Sequence, residues 1–84
     1  MQKKRPYYIA GNWKMHKTSS EAATLAGAVA TKLGSSDHRI MVAPPFTALA
    51  AVSQAVSSTA VRLGAQNMAA EEEGAHTGEI SPLM

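Results

Sequence analysis

Asn12 and Lys14, an amide and an ammonium, stand two apart in Gly11-Asn12-Trp13-Lys14-Met15, directly after the apolar run Tyr7 to Ala10. That run reads as a buried strand. In extended chain, positions two apart point to the same side. Asn12 and Lys14 are therefore expected to project together from the strand end, with Trp13 turned the other way. One hydrogen-bonding group and one fixed positive charge on a single wall suit a small anionic substrate. The same spacing also fits a strand that ends in a Lys whose stem covers apolar surface while its head reaches water. Residue types and spacing leave both readings open.

The elements that would position this pair alternate regularly. Thr18 with Glu21 three residues later forms a capping box. Ala22, Leu25, Ala26, Val29 and Leu33 then recur at helical spacing, and Gly34 stands where a helix C-terminus favours glycine. Arg39 to Ala43 reads as a second strand, ended by Pro44-Pro45. Leu49, Val52 and Val56 mark a second helix, broken at Ser57-Ser58. Val61 to Ala65 reads as a third strand. Strand, helix, strand, helix, strand predicts a parallel sheet with right-handed crossovers. No linker divides the chain into domains. Residues 67 to 80 lack a periodic apolar pattern, which is uncommon for so long a segment unless it is functional or disordered. Gly74 and Gly78 bracket Ala75-His76-Thr77 and suggest a tight excursion there. Glu71-Glu72-Glu73 reads as a solvated face.

Composition narrows the partners. The 84 residues carry a formal net charge of +2, with basic residues dispersed apart from Lys3-Lys4-Arg5. That bias is too weak to argue for nucleic acid. The basic triplet precedes only a short apolar run, so it reads as a solvated tail and not as a signal peptide. No run approaches the roughly 20 apolar residues of a membrane span. The absence of Cys excludes a disulfide framework and thiolate metal sites. His16, His38 and His76 show no metal-ligand spacing. These features together predict a cytoplasmic protein without nucleic-acid or membrane partners.

The stretch Ile9-Ala10-Gly11-Asn12-Trp13-Lys14-Met15-His16-Lys17 resembles the first strand and first catalytic loop of the triosephosphate isomerase family. Three further blocks resemble that family in the same order: Ala43 to Leu49, Leu63 to Asn67, and Gly74 to Ser81. The resemblance implies a parallel (β/α)₈ TIM barrel, of which this chain supplies the first three strands and two helices. Such a barrel typically needs about 250 residues. The resemblance therefore makes this chain the N-terminal third of a single barrel domain. Ser81-Pro82 reads as the start of a further helix, Ser at the N-cap and Pro at the first helical position.

The same resemblance implies an isomerase that interconverts dihydroxyacetone phosphate and glyceraldehyde 3-phosphate through an enediolate, without metal or organic cofactor. It implies a homodimer with a small phosphorylated triose as substrate. Lys14 and Asn12 take the catalytic and substrate-binding roles, Asn67 and Gln66 a supporting shell, and Thr77 and His76 the dimer interface. Where this chain has His76 the family usually has Phe or Tyr. The family's electrophilic His and its Glu base follow later strands that the matching blocks do not include. The competing expectation is a catalytically inactive fragment or folding unit with at most weak phosphate binding. Three strands without the rest of a barrel are also expected to leave Ile9, Ile40, Val42, Val61 and Leu63 near open surface.

Overall fold

The computed structural model describes residues 5–84; Lys3 and Lys4 of the basic triplet lie outside the described residues. The elements run β1 (Tyr8–Asn12), α1 (Ser19–Leu33), β2 (Arg39–Ala43), a 3₁₀ turn (Phe46–Ala48), α2 (Leu49–Val56) and β3 (Arg62–Leu63). The strands form one parallel sheet in the order β1-β2-β3. Register pairs Ile9 with Ile40 and Gly11 with Val42, then Met41 with Arg62 and Val42 with Leu63. This is the βαβαβ alternation expected from the sequence, and β2 has the expected bounds. β3 is shorter than the expected Val61 to Ala65, spanning only Arg62–Leu63. The Gly64 N–H still donates to the Val42 carbonyl at 2.9 Å, so the ladder runs one residue past the strand.

Partners across a parallel ladder point to the same face, which assigns the two faces of the sheet. Ile40 and Val42 are buried in one cluster with Ala22, Ala26, Val52 and Val56 of the two helices, and Leu63 packs against it. The apolar strand residues therefore face the helices. Tyr8, Ala10, Asn12, Met41 and Arg62 alternate onto the opposite, open face. The expectation that Ile40, Val42 and Val61 would lie near open surface is overturned: all three are buried. Ile9 is on the covered face yet 49% exposed, because β1 is the sheet edge and neither helix reaches across it. β1 is accordingly not the buried strand that its composition suggests.

Helix α1 begins as the capping box requires. The Thr18 N–H and hydroxyl both donate to Glu21 Oε1 at 3.0 Å, and the Glu21 N–H donates to Thr18 Oγ1 at 3.4 Å. The buried stripe is Ala22, Ala26 and Ala30, at strict i, i+4 spacing. Leu25 and Leu33, expected on the apolar face, are 37% and 44% exposed. Small side chains along the contact line let α1 approach the sheet and α2 closely, and the bulkier Leu residues flank that line. Gly34 also differs from expectation in its reason. Its φ is −66°, an ordinary right-handed value. A Cβ there would meet the Ala30 carbonyl oxygen at 2.4 Å, so close backbone approach is what excludes a side chain.

The Thr18 backbone N–H, then its hydroxyl, hold the Glu21 carboxyl below its ordinary pKa, with a smaller contribution from Lys17. A lowered folded-state pKa means the carboxylate supports the helix above the unfolded value of about 4.3 and loses that support as pH falls through the lowered one. Thr18→Ala removes the hydroxyl and keeps the backbone N–H, so the Glu21 side-chain titration followed by NMR should rise only part of the way toward the ordinary range. The amides of the first α1 turn should lose exchange protection in the same variant. An unchanged titration midpoint would show that the Thr18 hydroxyl contributes nothing to the lowered value.

Candidate active site

The C-terminal ends of the three parallel strands bring Asn12, Ala43 and the residues after Leu63 to one edge of the sheet. Alternation holds as far as Trp13. Its indole lies over Gly11, where a Cβ would be 3.5 Å from Trp13 Nε1, and it packs partly buried against the helix-side core. Asn12 faces the opposite way, at the rim of the open face. The strand rule stops there. Lys14 has φ +57°, so its direction is not set by extended chain. Asn12 and Lys14 are joined by a local turn: the Lys14 N–H donates to Asn12 Oδ1 at 2.9 Å. The pair that the sequence set side by side is held by a hydrogen bond rather than by pleat.

Gln66 completes this arrangement from the segment just past β3. Its Nε2 donates to the Lys14 carbonyl at 2.8 Å and to the Ala43 carbonyl at 2.9 Å. The Ala43 carbonyl also accepts the Trp13 N–H at 3.1 Å. One amide thus ties the loop after β1 to the end of β2, using both of its donors. Asn67, the neighbouring supporting candidate, is exposed and its side chain makes no hydrogen bond among the described residues. Lys14, Met15, Pro45, Phe46, Thr47 and Gln66 border an open depression of about 410 Å³ beside the strand ends. Met15 is 93% exposed there.

Gln66 is among the supporting residues the resemblance implies, but its contacts with the Lys14 and Ala43 carbonyls were not foreseen. It follows Arg62 and Gly64 at two-residue steps, so continued strand parity would put it on the face of Asn12. The positive φ at Lys14, and the one of +82° at Lys17, had no signal, because neither residue is Gly, Asn or Asp.

Residues 67 to 80 contain no helix or strand. The Ala69 N–H donates to the Ile80 carbonyl at 2.8 Å and closes the base of the loop. Gly74 and Gly78 have φ of +151° and +85°, which only glycine adopts readily. Between them His76 folds back, its ring beside Gly74 and its Nε2 3.6 Å from Glu71 Oε2. Thr77 is exposed next to it. Ser81 is buried, and the Met84 N–H donates to its carbonyl at 3.0 Å in a single turn. Ser81 Oγ has no partner, so the expected side-chain N-cap is not formed.

His38 Nδ1 accepts the Tyr7 N–H at 2.9 Å, and its ring lies against that of Tyr7, tilted by 32° with centroids 5.1 Å apart. Among the described residues no group of three His, Asp or Glu could hold a metal ion. No helix among them is long and apolar enough to cross a membrane.

The two short hydrogen bonds on the Lys14 backbone give a direct test. Asn12→Asp keeps an acceptor at the same reach, whereas Asn12→Ala removes it. A lost hydrogen bond of ordinary net strength, about 1 kcal/mol, corresponds to roughly fivefold faster exchange of the Lys14 amide. That change should appear in Asn12→Ala and be absent in Asn12→Asp. Equal rates in both variants would show that the Asn12 side chain does not hold the turn.

Residues 7–84 match the triosephosphate isomerase family model. A triosephosphate isomerase from Treponema pallidum (strain Nichols) is 53% identical over 79 residues, which cover 94% of this chain and 32% of that protein. The enzyme of Borrelia garinii subsp. bavariensis is 50% identical over 82 residues, 95% of this chain and 32% of its own. That of Chloroflexus aurantiacus is 54% identical over 77 residues, 90% and 31% respectively. The chain therefore spans about a third of the length of the curated relatives it matches.

Proposed function

The chain belongs to the triosephosphate isomerase family and has the opening βαβαβ of its TIM barrel, and on that premise we propose that it supplies the substrate-facing Lys and Asn of a triose-phosphate isomerase. The observation that carries this reading is the pairing of Asn12 and Lys14 at the C-terminal strand ends, with the Lys14 backbone hydrogen-bonded on both sides. C-terminal strand ends are where TIM-barrel enzymes build their sites. The reaction moves a proton between two carbons by way of an enediolate. A base takes the proton beside the carbonyl, and negative charge develops on the carbonyl oxygen. The Lys14 ammonium would face that oxygen and the phosphate ester. A preorganised charge at the position where negative charge develops is a large catalytic factor, about 3 kcal/mol for one donor. The Asn12 Oδ1 is occupied by Lys14, which leaves its Nδ2 protons to donate to the same substrate region.

The family is itself the standing example of a carboxylate base working with a neutral imidazole. His16, His38 and His76 do not correspond to that imidazole, so the 84 residues by themselves should not turn over substrate. The reading includes one barrel domain, the cytoplasm as its place, and a homodimer in which the 69–80 loop reaches the neighbouring subunit. Thr77 would support the partner's catalytic residues, with His76 beside it. Gln66 and the adjacent Asn67 would form the supporting shell.

A hybrid tests the reading: residues 7–84 followed by the remaining two thirds of the Treponema pallidum relative. It should interconvert the two triose phosphates, while the 84-residue chain should not exceed a buffer blank. Lys14→Ala in the hybrid should lower kcat/KM at least a hundredfold, an order-of-magnitude figure that follows from one lost charge-stabilising donor. Lys17→Ala should change it by less than threefold, on the order of an ordinary surface effect. Similar losses in both variants would show that general positive charge, not a placed ammonium, is what matters.

The loop is tested separately. Thr77→Arg in the hybrid should weaken association and lower activity together, measured by sedimentation and by assay over a dilution series. A variant that stays dimeric at low concentration with unchanged kinetics would remove the 69–80 loop from the interface.

A further inference from the structure

At the other end of β1 a side chain stands in for part of the sheet. The carbonyl of Tyr7, the residue ahead of β1, accepts the Arg39 N–H at 2.9 Å, and its N–H donates to His38 Nδ1 at 2.9 Å. With the carbonyl bonded to Arg39, a regular parallel ladder would carry the Tyr7 N–H to the Asp37 carbonyl. Residues 37 and 38 form a bend instead of strand, and Ser36 Oγ accepts the His38 N–H at 3.1 Å within it. The imidazole therefore takes the place of a backbone acceptor. It extends by one residue a pairing that otherwise begins at Tyr8 and Arg39. The Tyr7 ring, 5.1 Å away between centroids, keeps the imidazole beside the chain it holds. Among the described residues β1 pairs with β2 alone, so this end of the edge strand has no second strand to secure it.

We propose that His38 is an acid-sensitive latch on the edge strand: its neutral ring fastens Tyr7 to the loop leading into β2, and protonation of the ring releases it. A neutral imidazole accepts at one nitrogen and donates at the other, so the bond from Tyr7 requires the tautomer with its proton on Nε2. An imidazolium donates at both nitrogens, and its Nδ1–H would face the Tyr7 N–H with no acceptor between them. The latch is therefore closed while the ring is neutral and opens as pH falls through the ring's titration. Histidine is the side-chain type that ordinarily changes charge between about pH 5 and 8. The other titratable or charged groups of this corner are of different types. Tyr7 brings a phenol, Arg5 and Asp37 border the same open depression of about 520 Å³, Arg39 opens β2, and α1 carries Lys32 in its last turn. Opening is local, because neither Tyr7 nor His38 belongs to the buried cluster that joins Ile40 and Val42 to the helices.

The test uses the hybrid begun at Met1, so that the Tyr7 N–H is an internal amide and Arg5 is kept, and follows it by NMR between about pH 8 and pH 5. At the upper end the His38 ring nitrogens should report the Nε2–H tautomer. On acidification the Tyr7 amide resonance should move with the midpoint of the His38 ring. Its protection against exchange, referred to the intrinsic rate at each pH, should fall roughly fivefold, the ordinary effect of one lost hydrogen bond. The Gly64 amide, bonded to the Val42 carbonyl past β3, should keep its protection throughout. His38→Asn places an acceptor, Oδ1, at the reach of Nδ1 and does not titrate, so Tyr7 protection should become independent of pH. His38→Phe keeps a ring and removes the acceptor, so protection should be low at both ends of the range. Tyr7 protection that ignores the His38 titration, an equal fall in His38→Asn, or a neutral ring protonated on Nδ1 would each overturn the proposal. A parallel loss at Gly64 would show that acid opens the whole sheet, and would overturn it too. The titration with His38 in place decides the matter even where a variant does not fold.

Discussion

The arrangement at the strand ends depends on keeping one backbone in a conformation it would not choose. A positive φ at Lys14 costs on the order of 1–2 kcal/mol for a residue with a Cβ. Two hydrogen bonds act on that one residue, from Asn12 and from Gln66, each with a net value of about 1 kcal/mol. The sums are comparable, so the two bonds together offset the strain. Because one bond starts at β1 and the other at β3, the turn is stable only when the sheet has brought those two strand ends to either side of β2.

The sheet does so because its topology is parallel. Right-handed crossovers return every strand in the same direction, so all three C-terminal ends meet on one edge. The carbonyl of Ala43 stands at the middle of that edge and accepts from both neighbours, Trp13 on one side and Gln66 on the other. An antiparallel sheet of the same residues would scatter these groups to opposite edges. The helices maintain the parallel arrangement by covering one face: the alanine stripe of α1 and Val52 and Val56 of α2 bury Ile40 and Val42. Burial of apolar area on that face is the main favourable contribution, at about 25 cal/mol per Å². The polar rim adds direction rather than stability.

Local rules read from the sequence carried furthest where the determinants are themselves local. The Thr18–Glu21 box, the bounds of β2 and the two glycines of the 69–80 loop all depend on residues within a few positions of one another. Readings that required a choice between two faces or two reasons carried less far. Ile40, Val42 and Val61 are apolar enough for either face of a barrel sheet, and only the position of the helices decides which. Gly34 fits a left-handed cap in sequence, yet its cause is the Ala30 carbonyl, a contact that exists only once the helix has formed. Asn12 and Lys14 were recognisable as a pair, whereas the bond on the Lys14 carbonyl comes from Gln66, far away in the chain. Long-range hydrogen bonds leave no periodic trace.

Trp13 links the apolar core to the polar rim. Its side chain packs on the helix side while those of its neighbours lie on the rim, and its N–H is fixed to β2. Side chains alternate with a period of two, so a slip of β1 by one residue would carry the indole to the open face and Asn12 into the core. An indole exposed to water and an amide buried without a partner both oppose that slip. The packing of Trp13 therefore favours this register of β1, and with it the position of Asn12. The bulk of Trp13 can be understood on that ground: a smaller apolar residue would lie on the same face but would resist the slip less, and Asn12 would then lose the fixed frame in which its bond to Lys14 has meaning.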